Sequence, residues 1–327
     1  MSVRVVAHGR LHFGFVNLSL AHERLYGSLG VAVDGPRTVV TAEQAGDLDC
    51  PNATARAHAR RTLDILGLPG ARVRVEESLP RHVGLGSGTQ LALAVLAAVA
   101  EAYDRDPRVR ERAPAFGRGG RSGVGVAAFE DGGFVLDAGH PAAEFTPDRP
   151  ADGEWTVPPV SVRRDIRDSW RFLLVVPDAP PGRHGDDEDT CMRDTIDAAD
   201  PGLADEIAGA ITRRVLPALA TADHDAFGAA VDDIGRRNGE WYADVQGGTY
   251  CPPAGDLVEH LRTSPAIAGA GQTSWGPAVY GITSEKHADA ARDAGERALD
   301  EIGLDGDVFV VEGRNEGGRV DGCGERA

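Results

Sequence analysis

The sequence predicts an α+β fold in two parts, divided near residue 160. Three observations carry the prediction. Strand-like and helix-like segments interleave along all 327 residues without a regular β-α-β rhythm, which argues against a doubly wound parallel sheet. The stretch 140–170 is polar and holds Pro141, Pro147, Pro150, Pro158 and Pro159, the composition of a connection between units. A chain of this length also exceeds one small core. The expected units are residues 1–160 and 161–327.

Taken in order, Val3 to Phe15 reads as a strand broken at Gly9 and Gly14, followed by strands at Leu29–Val33 and Arg37–Thr41. Residues 53–66 read as a helix stopped by Gly67 and Pro69. Arg72-Val73-Arg74-Val75-Glu76 alternates strictly, as a half-exposed strand does. A glycine turn at 84–88 leads into a helix from Thr89 to Tyr103 that is apolar nearly all round and should be buried. A second glycine-rich stretch, Gly117–Gly125, runs into Val126–Phe129, and the Asp131-Gly132-Gly133 turn starts a hairpin strand at 133–137. The second half opens with a buried strand at 170–176. Helices are expected at 202–220 and 223–243, a weaker one at 254–268, and another at 285–301. Strands are expected at 279–283 and 307–312, and the polar tail from Gly313 reads as frayed.

Charge excludes several roles. Asp and Glu number 51 against 34 Lys and Arg, a net of -17, and Lys286 is the single lysine. Such a surface repels nucleic acid and anionic membranes. It suits a salt-rich cytosol, where screening shortens the Debye length to a few ångströms, and reads as a halophile's protein. There is no apolar run of membrane-spanning length and no signal peptide, so a cytoplasmic location is expected. Cys50, Cys191, Cys251 and Cys323 are scattered and spell neither a zinc site nor a disulfide framework.

The segment Pro80-Arg81-His82-Val83-Gly84-Leu85-Gly86-Ser87-Gly88-Thr89-Gln90 lies between a strand and a buried helix. Small residues let backbone approach an anion, and the helix offers unpaired N–H groups and the positive end of its dipole. A diphosphate needs such a seat. The Gly-Lys-Ser/Thr ending of a Walker loop is absent, and no acid about 20 residues on completes a dinucleotide fingerprint.

This Pro-x-x-x-Gly-Leu-Gly-Ser segment resembles the phosphate loop of the GHMP kinase superfamily. Ala7-His8-Gly9-Arg10-Leu11-His12-Phe13-Gly14 resembles its first motif, and Gly269-Ala270-Gly271-Gln272-Thr273-Ser274-Trp275-Gly276 its third, a glycine turn that braces the phosphate loop. Together with Asn17-Leu18, the 117–125 stretch and Pro277, these segments resemble one branch, the β-ribofuranosylaminobenzene 5′-phosphate synthases. The resemblance implies a GHMP-kinase-like α+β fold, with a ribosomal-protein-S5-like phosphate-loop domain first and a ferredoxin-like domain second. It implies decarboxylating transfer of phosphoribose from phosphoribosyl diphosphate to 4-aminobenzoate or a 4-hydroxybenzoate analogue, opening methanopterin-type pterin synthesis. Mg2+ is the expected cofactor. No metal ligand is selected among Asp34, Glu130 and Asp137, which lie near the motifs.

In the superfamily's kinases a Ser-Gly pair is followed by a catalytic Asp. Here Ser122-Gly123 is followed by Val124 and Gly125, and no acid occurs between Arg112 and Glu130. That favours the transferase over two alternatives, a small-molecule kinase and a non-catalytic phosphosugar or nucleotide sensor.

The diphosphate is assigned to Gly84, Leu85, Gly86, Ser87, Gly88, Thr89 and Gln90. Catalytic roles are assigned to Arg10, His12 and Arg121, and substrate contacts to Asn17, Arg118, Ser122, Gln272 and Ser274. Arginine suits both the carboxylate and the 5-phosphate through its bidentate fork, and which arginine takes which group stays open. Gln90 and Gln272 suit capping of backbone as well as phosphate. The acidic segment 180–189, with Arg183 and His184, reads either as a lid or as a solvated loop, and Trp241 and Tyr242 as pocket wall or as core. A homodimer is the base-rate expectation.

Overall fold

The computed structural model describes residues 2–143, 150–182 and 186–323. Twelve strands and ten α-helices run in the order β1 (Ser2–Asn17), β2 (Arg24–Gln44), β3 (Leu48–Asp49), α1 (Ala53–Leu66), β4 (Ala71–Glu77), α2 (Ser87–Ala102), α3 (Val109–Arg112), α4 (Val124–Glu130), β5 (Phe134–Asp137), β6 (His140–Pro141), β7 (Val160–Arg164), β8 (Trp170–Pro177), α5 (Asp186–Ala198), α6 (Pro201–Ala210), α7 (Leu216–Thr221), α8 (His224–Gln246), α9 (Ala254–Arg262), β9 (Gly269–Gln272), β10 (Val279–Ser284), α10 (Ala288–Ile302), β11 (Gly306–Glu312) and β12 (Arg319–Cys323).

The first sheet has the order β12-β1-β2-β4-β3, with β5 and β6 paired to β2 and β7 to β5. Helix α2 lies across it. Its residues from Gln90 to Ala100 are all buried, and its alanines and valines fill a core shared with Val5, Val40, Val73 and Phe116. A helix apolar on every side can only sit inside the protein. The second sheet, β11-β8-β10-β9, is antiparallel throughout, which is the ferredoxin-like order of its four strands. Helices α9 and α10 cover one face through Leu257, Leu261, Ala294 and Leu299. Helices α6 and α8 fill the space between the two sheets, where Ile207, Phe227 and Ile234 meet Phe13, Leu29 and Phe134 of one and Phe172 and Tyr280 of the other.

Three sequence expectations need correction. The strands at 29–33 and 37–41 are one continuous strand, β2. Residues 124–130, which the sequence pattern left unassigned, form helix α4; a short apolar run does not by itself distinguish strand from helix. The polar tail is not frayed at 319–323. It pairs with β1 as an outer strand, and the Gly318 N–H reaches the Phe129 carbonyl at 2.7 Å on the way. Part of the acidic segment, from Asp186, is helical in α5. Arg183 and His184 lie outside the described residues. The connection after Pro150 packs on the first half, since the Trp155 indole donates to the Arg118 carbonyl at 3.0 Å and β7 joins the first sheet.

Candidate active site

The three glycine-rich segments converge on one cleft of about 620 Å³. Its floor is the 84–89 turn. Gly84 and Gly86 have positive φ, +95° and +81°, conformations that side chains resist. Gly86 begins α2 with no capping side chain, and its carbonyl takes the N–H groups of Thr89 and Gln90. The N–H groups of Ser87 and Gly88 are the helix's orphan donors at the cleft, with the dipole behind them.

Two guanidinium groups flank this turn. Arg10 lies against Gly86, where an added Cβ would be 3.3 Å from its Cγ, and it donates to the Gly84 carbonyl. Burial lowers its pKa to about 10, so it stays a cation, and its Nε is buried without a hydrogen-bond partner. Arg118 lies against Gly88, within 3.2 Å of where a Cβ would stand. Both Arg10 and Arg118 line the cleft.

The third motif braces the turn. The Thr273 hydroxyl donates to the Gly84 carbonyl at 2.9 Å, and the Ala278 N–H donates to the Val83 carbonyl at 3.2 Å. The fit is backbone against backbone, because a Cβ on Gly84 would stand 2.0 Å from the Thr273 oxygen and one on Gly276 would stand 1.9 Å from the Val83 carbonyl carbon. His12 lines the cleft between this brace and Phe15. Burial, and Arg10 nearby, hold its pKa down to about 3, so the imidazole is neutral at working pH.

Not every residue assigned from sequence faces the cleft. Leu85 is buried in the core between the sheets and contributes only backbone, its carbonyl accepting from the Arg10 N–H. Gln90 turns inward and donates to the Gly125 carbonyl at 2.9 Å, tying α2 to α4. Asn17 is occupied within its own turn, bonding the Ser19 and Arg24 carbonyls and the Ser19 N–H. Gln272 lines the cleft, but both ends of its amide serve backbone, the Cys251 N–H and the Gly276 carbonyl. Gln90 and Asn17 thus do not line the cleft, and Gln272 lines it with its amide already bonded to backbone. Ser87, Gly88, Thr89, Arg118, Ser122 and Ser274 do line the cleft.

Arg121 also reaches it, already engaged. Its guanidinium meets Asp189 at 2.6 Å and Glu188 at 3.5 Å, both from α5. Sequence reasoning missed these acids because nothing in a polar stretch tells which residues a helix will turn inward. It also missed a buried chain behind Ser122. The Ser122 and Ser28 hydroxyls are 2.6 Å apart, and Ser28 donates to Asp137 at 2.5 Å. Asp137 also accepts the N–H groups of Gly123 and Gly139, each at 2.9 Å, and burial raises its pKa to about 6. An aromatic wall completes the cleft. Tyr242 packs edge-on against Trp275 with centroids 4.5 Å apart, while Trp241 faces core.

The fold is that of the GHMP kinases. A family profile described as "GHMP kinases N terminal domain" matches residues 52–133. Solved structures agree at low identity. Homoserine kinase from Cytophaga hutchinsonii superposes with a TM-score of 0.67 at 17% identity, covering 98% of this chain and 97% of its own. Lactococcus lactis galactokinase gives 0.68 at 12%, covering 97% and 95%. Sequence relatives are narrower in kind. The beta-ribofuranosylphenol 5'-phosphate synthase of Methanothermobacter thermautotrophicus is 32% identical over 94% of this chain and 95% of its own, and that of Archaeoglobus fulgidus is 29% identical over 98% and 99%. The chain belongs to the beta-ribofuranosylphenol 5'-phosphate synthase family. Among the described residues no helix is long and apolar enough to cross a membrane.

Proposed function

We propose that this chain transfers phosphoribose from 5-phosphoribosyl 1-diphosphate to a para-substituted benzoate, releasing CO2 and diphosphate and leaving a β-ribofuranosyl arene 5′-phosphate, an early step toward methanopterin-type pterins. One observation carries the reading: the bare N-terminus of α2, flanked by Arg10 and Arg118, faces a cleft lined by Gly125, the residue that the resemblance aligns with the kinases' catalytic Asp. The relatives' name specifies a phenol, which favours 4-hydroxybenzoate over 4-aminobenzoate as acceptor. The setting is taken to be cytoplasmic.

Negative charge grows on the leaving oxygens as the bond from ribose C1 to diphosphate breaks. The Ser87 and Gly88 N–H groups and the two arginines would meet that charge from fixed positions, with little reorganisation. The ring carbon bearing the carboxylate attacks C1, and loss of CO2 restores aromaticity. Tyr242 and Trp275 would wall the ring, and neutral His12 can hydrogen-bond ribose without adding charge.

Mg2+ belongs to the same reading. The described residues hold no cluster of three metal-ligating side chains, so they offer no all-protein cage. Mg2+ commonly keeps waters and takes one or two carboxylates plus substrate phosphate oxygens, and Glu188 and Asp189 are carboxylates at this cleft. When bound there it would neutralise the departing diphosphate.

The test is release of labelled CO2 from carboxyl-labelled 4-hydroxybenzoate with phosphoribosyl diphosphate and Mg2+ in molar KCl. Release that depends on the sugar diphosphate supports the transferase. Silence, with ADP formed from ATP and an added alcohol in a parallel tube, means a kinase.

A further inference from the structure

The chain behind Ser122 ends on a carboxylate that the reaction as written does not use. Asp137 is 2% exposed, lies at the end of β5, and touches the cleft only through two serines. Its oxygens receive the Gly123 N–H, the Gly139 N–H and the Ser28 hydroxyl. Because Ser28 gives its proton to Asp137, it can only accept from Ser122. Ser122 therefore turns its own proton inward and also accepts the Val124 N–H at 3.3 Å. Ser122 lines the cleft, so its remaining lone pair is the acceptor it can offer to whatever binds there.

That polarity matters for a phenol. As the ring attacks ribose C1, electron density leaves the para oxygen, and the hydroxyl becomes strongly acidic. An amino group in the same place can carry the charge as an iminium with both hydrogens kept. Resting on the transferase reading above, we propose that Ser122, Ser28 and Asp137 are a proton relay for the para-hydroxyl group of the acceptor.

The step balances. The ring-carbon-to-C1 bond forms and the C1-to-diphosphate bond breaks. The phenolic proton passes to Ser122, the Ser122 proton to Ser28, and the Ser28 proton to Asp137, leaving a neutral carboxyl group and a dienone ring that still bears the carboxylate. The bond to CO2 then breaks, and its electron pair restores the aromatic ring as a phenolate. The relay runs backwards and returns the proton, so Asp137 ends as it began. The raised pKa of Asp137 suits a group that must take and give back a proton near neutrality. Ser122 touches substrate; Ser28 and Asp137 act through it.

The test compares two acceptors in one set of proteins. Wild type, Ser122→Ala, Ser28→Ala and Asp137→Asn are assayed for CO2 release from 4-hydroxybenzoate and from 4-aminobenzoate. Ser122→Ala leaves every contact of Asp137 in place, so it reports even if Asp137→Asn folds poorly. The variants should lose on the order of 100-fold in kcat with the hydroxy acceptor and clearly less with the amino acceptor. 3,5-Difluoro-4-hydroxybenzoate, assayed at a pH above its phenol pKa so that it arrives ionised, should bring the variants back toward the wild-type rate on that substrate. Equal losses on both acceptors without fluorine rescue, or a wild type that uses only the amino acceptor, overturn the relay while the transferase stands. A wild type that releases CO2 from neither overturns both.

Discussion

The Thr273 hydroxyl donates to the Gly84 carbonyl while accepting the His12 N–H at 3.0 Å. One side chain thus ties strand β1, the phosphate turn and the turn after β9 into a single unit. These three segments are far apart in the chain, and Gly84, Gly86 and Gly276 are where they approach one another too closely for a side chain. A site built this way is rigid before any ligand arrives, as electrostatic preorganisation demands.

Gly86→Val should abolish diphosphate binding measured by titration calorimetry. The residue holds φ at +81°, and any Cβ there presses on Arg10. Gly67→Ala, whose added Cβ meets nothing within 4 Å, is the control for backbone strain alone. Equal binding by both variants would sink the loop assignment.

Arg10→Lys and Arg118→Lys should each weaken diphosphate binding by about 10-fold or more, since an ammonium cannot reproduce a planar fork. Arg10→Lys should be the worse, because the guanidinium also donates to the Gly84 carbonyl and so holds the turn. Thermal melts alongside separate loss of fold from loss of ligand.

His12 makes acid stability checkable. Its folded pKa of about 3 lies below the ordinary 6.5. Between those values the unfolded chain takes up a proton that the folded one refuses, so stability is full above the unfolded pKa and falls as pH drops. Urea midpoints at pH 7.5 and 5 should therefore fall less in His12→Asn than in wild type. An identical fall in both would show that His12 is not held neutral. Asp137 works oppositely. Its folded pKa is raised, so its contribution is full below the unfolded value and lost as pH rises through about 6.

The net charge of -17 predicts a salt requirement. Raising KCl from about 0.1 M to about 1 M shortens the Debye length from about 10 Å to about 3 Å. The melting temperature should rise over that range. A melting temperature that falls with added KCl would contradict the halophilic reading of the surface.

Much of the fold was legible because its signals are local. Asn52 caps α1 and Gly67 ends it in the left-handed region, so its bounds follow from neighbouring residues. Helix α2 announces its burial by having no polar face after Gln90. Residues 124–130 stay unassigned in the sequence because four apolar residues suit either a strand or a short helix, and only packing against α2 and β2 decides. Residues 319–323 misled because an outer strand needs no apolar face, only an unpaired neighbour, and β1 provides one.

The sequence by itself determined the glycine turn at 84–88 before a buried helix and the absence of any acid between Arg112 and Glu130, since each depends on residue type at short spacing. Only the tertiary structure decided which side chains face the substrate. Gln90 and Gln272 are spent on backbone carbonyls and an N–H, Arg121 is claimed by α5, and Ser28 meets Ser122 and Asp137, each more than 90 residues away along the chain. A buried polar group must find a partner wherever the packed backbone offers one, and that choice is made by the whole fold rather than by the neighbours in sequence.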